Sequence, residues 1–161
     1  MFETEQDRIN QRAVMGVIMK TLEATAFVGS MFRHEEIPSI EGDSAADFKV
    51  FLWDRLVGIV EIKCRTKDYD SFFFQKNGYM IARHKLAMLY KSHRDGVPGM
   101  LTFRTSNGQV YAAMIEYLVE YRELWTTADS EKMKTTDHST RVRVTDDPGY
   151  ILPLDLFSRI A

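Results

Sequence analysis

The sequence predicts an α/β (α+β) fold, a mixed central sheet flanked by helices, and three observations predict it. Apolar residues at helical spacing open the chain, two hairpin-like pairs of β-branched and aromatic runs follow, and a second amphipathic segment separates the pairs. The order reads α-β-β-β-α-β-β. At 161 residues the chain has the length of one ordinary domain, so 1–161 is expected to form a single unit with a substantial core.

Each element has a local cause. Gln6 to Ala26 carries Ile9, Ala13, Val14, Val17, Ile18 and Leu22 at helical spacing; Asp7 near its start favours the helix dipole, and Gly29 is a stop signal. Met31 to Ile37 predicts a strand, with Pro38 and Ser39 opening the next connection. Phe48 to Trp53 and Leu56 to Cys64 predict an antiparallel hairpin that turns at Asp54 and Arg55. Thr66 to Tyr79 is polar and aromatic, with a turn signal at Asn77-Gly78. Ile81 to His93 then predicts an amphipathic helix, with Ile81, Leu86, Leu89 and Tyr90 offered to the core and Gly96, Pro98 and Gly99 ending it. Ser106-Asn107-Gly108 joins Met100–Arg104 to Gln109–Ala113 as a second hairpin.

Beyond Ala113 the pattern is weaker. Met114 to Trp125 fits either helix or strand, Thr126 to Thr140 reads as a loop, and Arg141 to Val144 alternates like a strand. Asp146-Asp147-Pro148-Gly149 is a turn, and Tyr150 to Phe157 is an apolar segment expected to pack on the core.

The first hairpin carries the chemistry. A three-residue loop at Asp54-Arg55-Leu56 would pair Trp53 with Val57, placing Asp47 opposite Lys63 and diagonal to Glu61. The side-chain period of two puts Glu61, Lys63 and Arg65 on one face and Val60, Ile62 and Cys64 on the other. Apolar neighbours on both sides predict a covered strand, where a carboxylate and an ammonium are unfavourable unless paired or bound to a metal. Two carboxylates and the Ile62 carbonyl offer hard oxygen ligands to Mg²⁺ or Mn²⁺, at roughly 2.0–2.1 Å for the former. Such a site suits phosphodiester hydrolysis, with Lys63 orienting water or stabilising the pentacoordinate phosphate.

An acidic residue opening one strand, Asp47, followed by Glu61-x-Lys63 on the next, resembles the PD-(D/E)XK nuclease superfamily. The resemblance implies a restriction-endonuclease-like α-β-β-β-α-β core, with Asp47 and Glu61 as metal ligands and Lys63 as the catalytic lysine. The succession of first helix, hairpin, Tyr-containing segment and Lys-bearing helix looks most like small phage and bacterial resolvase-like endonucleases. It implies a Mg²⁺- or Mn²⁺-dependent endodeoxyribonuclease acting on DNA, with a branched substrate such as a Holliday junction as a candidate. Branch preference in turn implies a homodimer, because two related sites cut two strands symmetrically.

That group commonly carries a glutamate in its first helix, and Gln11 occupies the matching place. Lys85 resembles the helix-borne basic residue near the site. Gln11, Arg65 and Lys85 are therefore the candidate substrate contacts. Gln11 in place of an acid, together with a net charge of -2, also fits a non-catalytic nucleic-acid-binding or assembly protein that retains the nuclease fold. The same metal site would serve an RNA-directed nuclease.

Other classes find less support. There is no apolar run of about 18 residues, so no membrane span is expected, and the acidic start lacks the order of a signal peptide. These features predict a cytoplasmic protein, and the resemblance above implies a bacterial or phage-infected cell. One cysteine excludes an internal disulfide, and Cys64 reads as a buried small hydrophobe. His34 with Glu35 and Glu36, and His138 with Asp137, lack a metal-ligand spacing and read as surface charge. Phe72 to Phe74 reads as core, with an exposed base-stacking contact as the alternative.

Overall fold

The computed structural model describes residues 4–25, 31–38, 46–128, 135–136, 143–144 and 149–161. Gly29, Ser39, Arg141, the Asp146–Pro148 part of the predicted turn, and Asp137 with His138 lie outside the described residues.

Helix α1 (Glu5–Thr25) begins where Asp7 and Thr4 cap each other, the Asp7 carboxylate accepting from the Thr4 backbone and hydroxyl while Thr4 Oγ1 accepts from the Asp7 N–H. Its buried stripe is Val14, Met15, Ile18 and Met19. Ile9 and Ala13, expected in the core, face solvent instead. The helical period accommodates either stripe, because both contain Val14 and Ile18; the unbranched Met15 and Met19 are the side chains that fill the contact.

Strands β1 (Phe32–Glu36), β2 (Phe48–Leu52) and β3 (Arg55–Cys64) form the expected antiparallel meander. Next come α2 (Ser71–Asn77), β4 (Tyr79–Ala82), α3 (Arg83–Arg94) and the hairpin β5 (Gly99–Arg104) and β6 (Val110–Met114). The chain continues through α4 (Ile115–Glu120), β7 (Thr126–Ala128), β8 (Thr135–Thr136), β9 (Arg143–Val144), β10 (Gly149–Leu152) and β11 (Ser158–Arg159).

The central sheet has the order β1-β2-β3-β5-β6-β11, and it is mixed because β3 and β5 run parallel while the other pairs are antiparallel. The crossover between those parallel neighbours contains α2, β4 and α3. On one face α1 packs over Phe48, Val50, Val60, Ile62 and Val110. The other face, with Leu101, Phe103 and Ala113, is covered by α3, α4 and the smaller sheet β4-β10-β7.

Several expectations are corrected here. The segment read as turn-like over Thr66–Tyr79 contains α2: Asp70 caps it by accepting from the Phe73 N–H at 2.8 Å, and Gly78, at φ 73°, ends it. The Asn77-Gly78 signal thus marks a helix terminus rather than a free turn. Ile81 belongs to β4, opposite Tyr150, and α3 starts two residues later after the extended Ala82. Tyr90 is 39% exposed rather than buried in the core. Within Thr126–Thr140 the described residues include strands β7 and β8 rather than loop alone.

Candidate active site

The hairpin register differs from the expected one. Leu52 pairs with Arg55 around a two-residue turn, Trp53-Asp54, in which Trp53 adopts φ 54°. That shorter turn alone would move every β3 side chain to the opposite face. A bulge restores the parity, because Phe51 pairs with Leu56 while Val50 pairs with Gly58, leaving Val57 as the extra residue. Continuing past Phe48↔Val60, Asp47 therefore comes level with Glu61 rather than Lys63, with all three still on one face.

Strand β2 begins at Phe48, so the β3 edge beyond Val60 needs another partner, and Asp47 supplies it. Its backbone N–H donates to the Val60 carbonyl at 3.0 Å, and its carboxylate accepts from the Ile62 N–H at 2.7 Å. Odd-numbered residues of this stretch bond toward β5, as Ile59 N–H to Pro98 and Arg65 N–H to Arg104 show. Backbone N–H and C=O of one strand residue point the same way, so the Ile62 carbonyl lies on the Asp47 side.

Glu61 stands on the opposite face from α1 and is only 1% exposed. Its Oε1 accepts from Lys85 Nζ at 2.8 Å, and Lys85, on the first turn of α3, is itself 6% exposed. Glu61 Oε2 is buried and has no hydrogen-bond partner among the described residues. Lys85 precedes Leu86 and lies one turn before Leu89, on the buried side of the helix. That charged residue beside an apolar stripe was the sequence signal for a buried acidic partner, and sequence reasoning placed it at a phosphate instead.

The two carboxylates influence each other. Burial, and after it the negative charge of Glu61, pushes the Asp47 carboxyl up to about 7. The Ile62 N–H and the charges of Lys63 and Lys85 pull the other way without cancelling that rise. A carboxyl raised in the folded state contributes stability below its unfolded value near 4, and that contribution is lost as pH climbs through about 7. Asp47→Asn keeps an oxygen for the Ile62 N–H and removes the titration. The variant is expected to gain roughly 1–3 kcal/mol over the parent at pH 8 in EDTA. Urea unfolding at pH 5 and pH 8 checks this; an advantage that does not grow with pH contradicts it.

The other candidates are placed as follows. Lys63 is exposed on the Glu61 face. Arg65 turns its guanidinium over the Tyr79 ring at 5.3 Å, and its Nη2 donates to the Met80 carbonyl at 3.5 Å. Gln11 is half-buried on α1, the helix covering the opposite face, in line with Val14, Met15 and Ile18. The structure thus brings Asp47, Glu61, Ile62 and Lys85 together by hydrogen bonds, sets Lys63 on their face, and turns Arg65 toward an aromatic wall. Cys64 packs on the α1 side, as its strand position predicts. His34 sits edge-on to Phe48 rather than among metal ligands.

Among the described residues no group of three or more His, Cys, Asp and Glu side chains converges as a metal cluster. None of the described helices is long and apolar enough to cross a membrane. No protein-family model matches the chain, and no curated protein sequence matches it. Among solved structures it is similar to Hjc, a Holliday junction resolvase from the archaeal hyperthermophile Archaeoglobus fulgidus, at 9% identity and a TM-score of 0.45, over 91% of this chain and 96% of that one.

Proposed function

We propose that this protein is a divalent-metal-dependent nuclease that hydrolyses DNA phosphodiester bonds, with a branched DNA as its candidate substrate. The observation that carries this reading is the pair of adjacent carboxylates, Glu61 on a covered strand and Asp47 beside it, one raised toward neutrality and the other with a buried oxygen that has no hydrogen-bond partner among the described residues. Neither feature serves stability in the metal-free protein.

The residues present fit Mg²⁺ or Mn²⁺. Asp47, the orphaned Oε2 of Glu61 and the Ile62 carbonyl form an all-oxygen donor set, which suits hard cations rather than Zn²⁺ or Cu²⁺. A bound divalent ion supplies positive charge to the phosphate and lowers the pKa of a water.

The chain does the rest. The Ile62 N–H fixes the Asp47 carboxylate, and Lys85 fixes that of Glu61, so both ligands are preorganised. Lys63, two residues beyond Glu61 on the same face and exposed, orients the attacking water or donates to the phosphate oxygens as charge gathers on them. Lys85 adds positive charge beside the carboxylates. Arg65 borders the strand path.

Lys63→Ala is expected to lower single-turnover cleavage about 10²–10³-fold while leaving Mn²⁺ affinity within about twofold, since ΔG of binding then changes by less than about 0.5 kcal/mol. Calorimetric Mn²⁺ titration of the parent, Lys63→Ala and Glu61→Gln checks the assignment. A folded parent without Mn²⁺ or Mg²⁺ affinity would favour the second reading, a non-catalytic nucleic-acid-binding or assembly protein. One observation favours that reading: the Glu61–Lys85 pair already balances one carboxylate without any metal.

A further inference from the structure

Three successive phenylalanines on α2 meet different fates. Phe74 is buried, Phe73 is partly covered, and Phe72 is 72% exposed, the most exposed large apolar side chain among the described residues. Tyr69, just before the helix, is 41% exposed, with one side engaged edge-to-face by Phe73 at 4.9 Å.

The backbone that carries these rings is fixed by hydrogen bonds. Asp70 caps α2, the Asn107 side chain accepts from the Ser71 N–H at 3.1 Å and donates to the Ser71 hydroxyl at 3.1 Å, and Ser106 N–H donates to the Tyr69 carbonyl at 2.8 Å. Thr105 Oγ1 in turn donates to Asn107 Oδ1 at 2.6 Å. Fixing the backbone at Tyr69 and Ser71 positions the segment that bears Phe72, so less backbone entropy is lost when a ligand is stacked.

The surroundings indicate the ligand. Lys63, Lys67 and Lys76 are exposed along the strand end and the segment that follows, and the Arg65 guanidinium lies 6.0 Å from the Tyr69 ring. Two exposed acids, Asp68 and Asp70, lie on the connecting loop, and Asp70 turns one oxygen to the Phe73 N–H. At about 3.3 Å per strand residue, Arg65 lies roughly 13 Å from Glu61, the length of about four stacked nucleotides. Cations that track a backbone, beside exposed rings, make a single-strand platform.

We propose that Tyr69 and Phe72 stack an unpaired base of the DNA strand drawn past Lys63, Arg65 and Lys67, so that the protein selects DNA with an unstacked nucleotide close to the cut. This rests on the nuclease reading above and deepens it by naming the feature recognised. A second copy of the chain is the competing occupant of the aromatic surface.

The test is equilibrium binding, in EDTA, of a duplex bearing a 2-aminopurine in a short unpaired flap and of the matching continuous duplex. The parent is expected to prefer the flap and to quench the 2-aminopurine. Phe72→Ala is expected to weaken flap binding roughly tenfold, within the range of alanine substitution at a stacked base, and to remove the quench. Phe72→Trp retains both, and Phe72→Leu retains neither. Unchanged preference in Phe72→Ala, or Phe72→Leu matching Phe72→Trp, overturns the proposal. So does a parent dimer that Phe72→Ala converts to monomer in sedimentation without any change in quench, since the surface then belongs to a second copy. A parent that binds no DNA overturns this proposal and the nuclease reading together. Metal-dependent cutting with no flap preference overturns the platform alone, and flap binding without cutting overturns the nuclease alone.

Discussion

Glu61→Gln is expected to reduce metal-dependent DNA cleavage by on the order of 10³-fold while the protein stays folded. The amide is nearly isosteric, and its oxygen still accepts from Lys85, which now lies 2.8 Å from Glu61 Oε1. What is lost is the negative charge that a divalent cation needs. The charge assistance of the Lys85 bond goes too, at a cost of about 1 kcal/mol, so Tm should move by no more than about 4 °C. The same change removes the second cause of the Asp47 rise, and the Asp47 carboxyl should therefore titrate lower than about 7. Cleavage kinetics, thermal unfolding and carboxyl NMR read the three effects. Full activity in Glu61→Gln would remove Glu61 from the site.

Glu61→Ala is expected to behave differently, because it leaves the Lys85 ammonium in an apolar layer without the carboxylate it now meets. Breaking a buried pair costs about 3–5 kcal/mol, and the lower end applies because Asp47 remains close enough for its charge and that of Lys85 to interact. A loss of about 3 kcal/mol corresponds to roughly 6–12 °C in Tm for a domain of this size. Adding Lys85→Met should recover half of that loss or more, since a well-packed apolar replacement of a buried ion pair is often neutral or stabilising. A Glu61→Ala protein as stable as the parent would contradict the buried pair. Loss of cleavage in this variant therefore says less about catalysis than loss in Glu61→Gln.

The hairpin and its charged residues were legible because period-two alternation survives any even change of register. The expected loop was one residue too long, and only the bulge at Val57 returned Asp47 and Glu61 to a common face. The run Leu56–Ile59 held one signal for the bulge, Gly58 directly after the extra residue, and it was passed over because Val57 is as good a strand residue as its neighbours. Helix α2 was hidden by Phe72-Phe73-Phe74, whose aromatic run mimics a strand and whose cap, Asp70, looks like another loop residue. Lys85 was recognised as near the site, but its partner lies 24 residues away and is reached only after the parallel crossover is built. The Ile62 carbonyl was offered as a ligand on chemical grounds, and its direction follows from the Ile62 N–H, which donates to the Asp47 carboxylate just before β2 begins at Phe48.

The most direct measurement is cleavage of end-labelled linear duplex, single-stranded and four-way-junction DNA by the parent and by Glu61→Gln, with Mn²⁺ or Mg²⁺ and with EDTA. The parent is expected to cut only with the cation, most strongly on a substrate with unpaired or branched strands, and Glu61→Gln at least about a hundredfold more slowly. A folded parent that cuts none of the three substrates with either cation, or that cuts equally well in EDTA, would contradict this expectation.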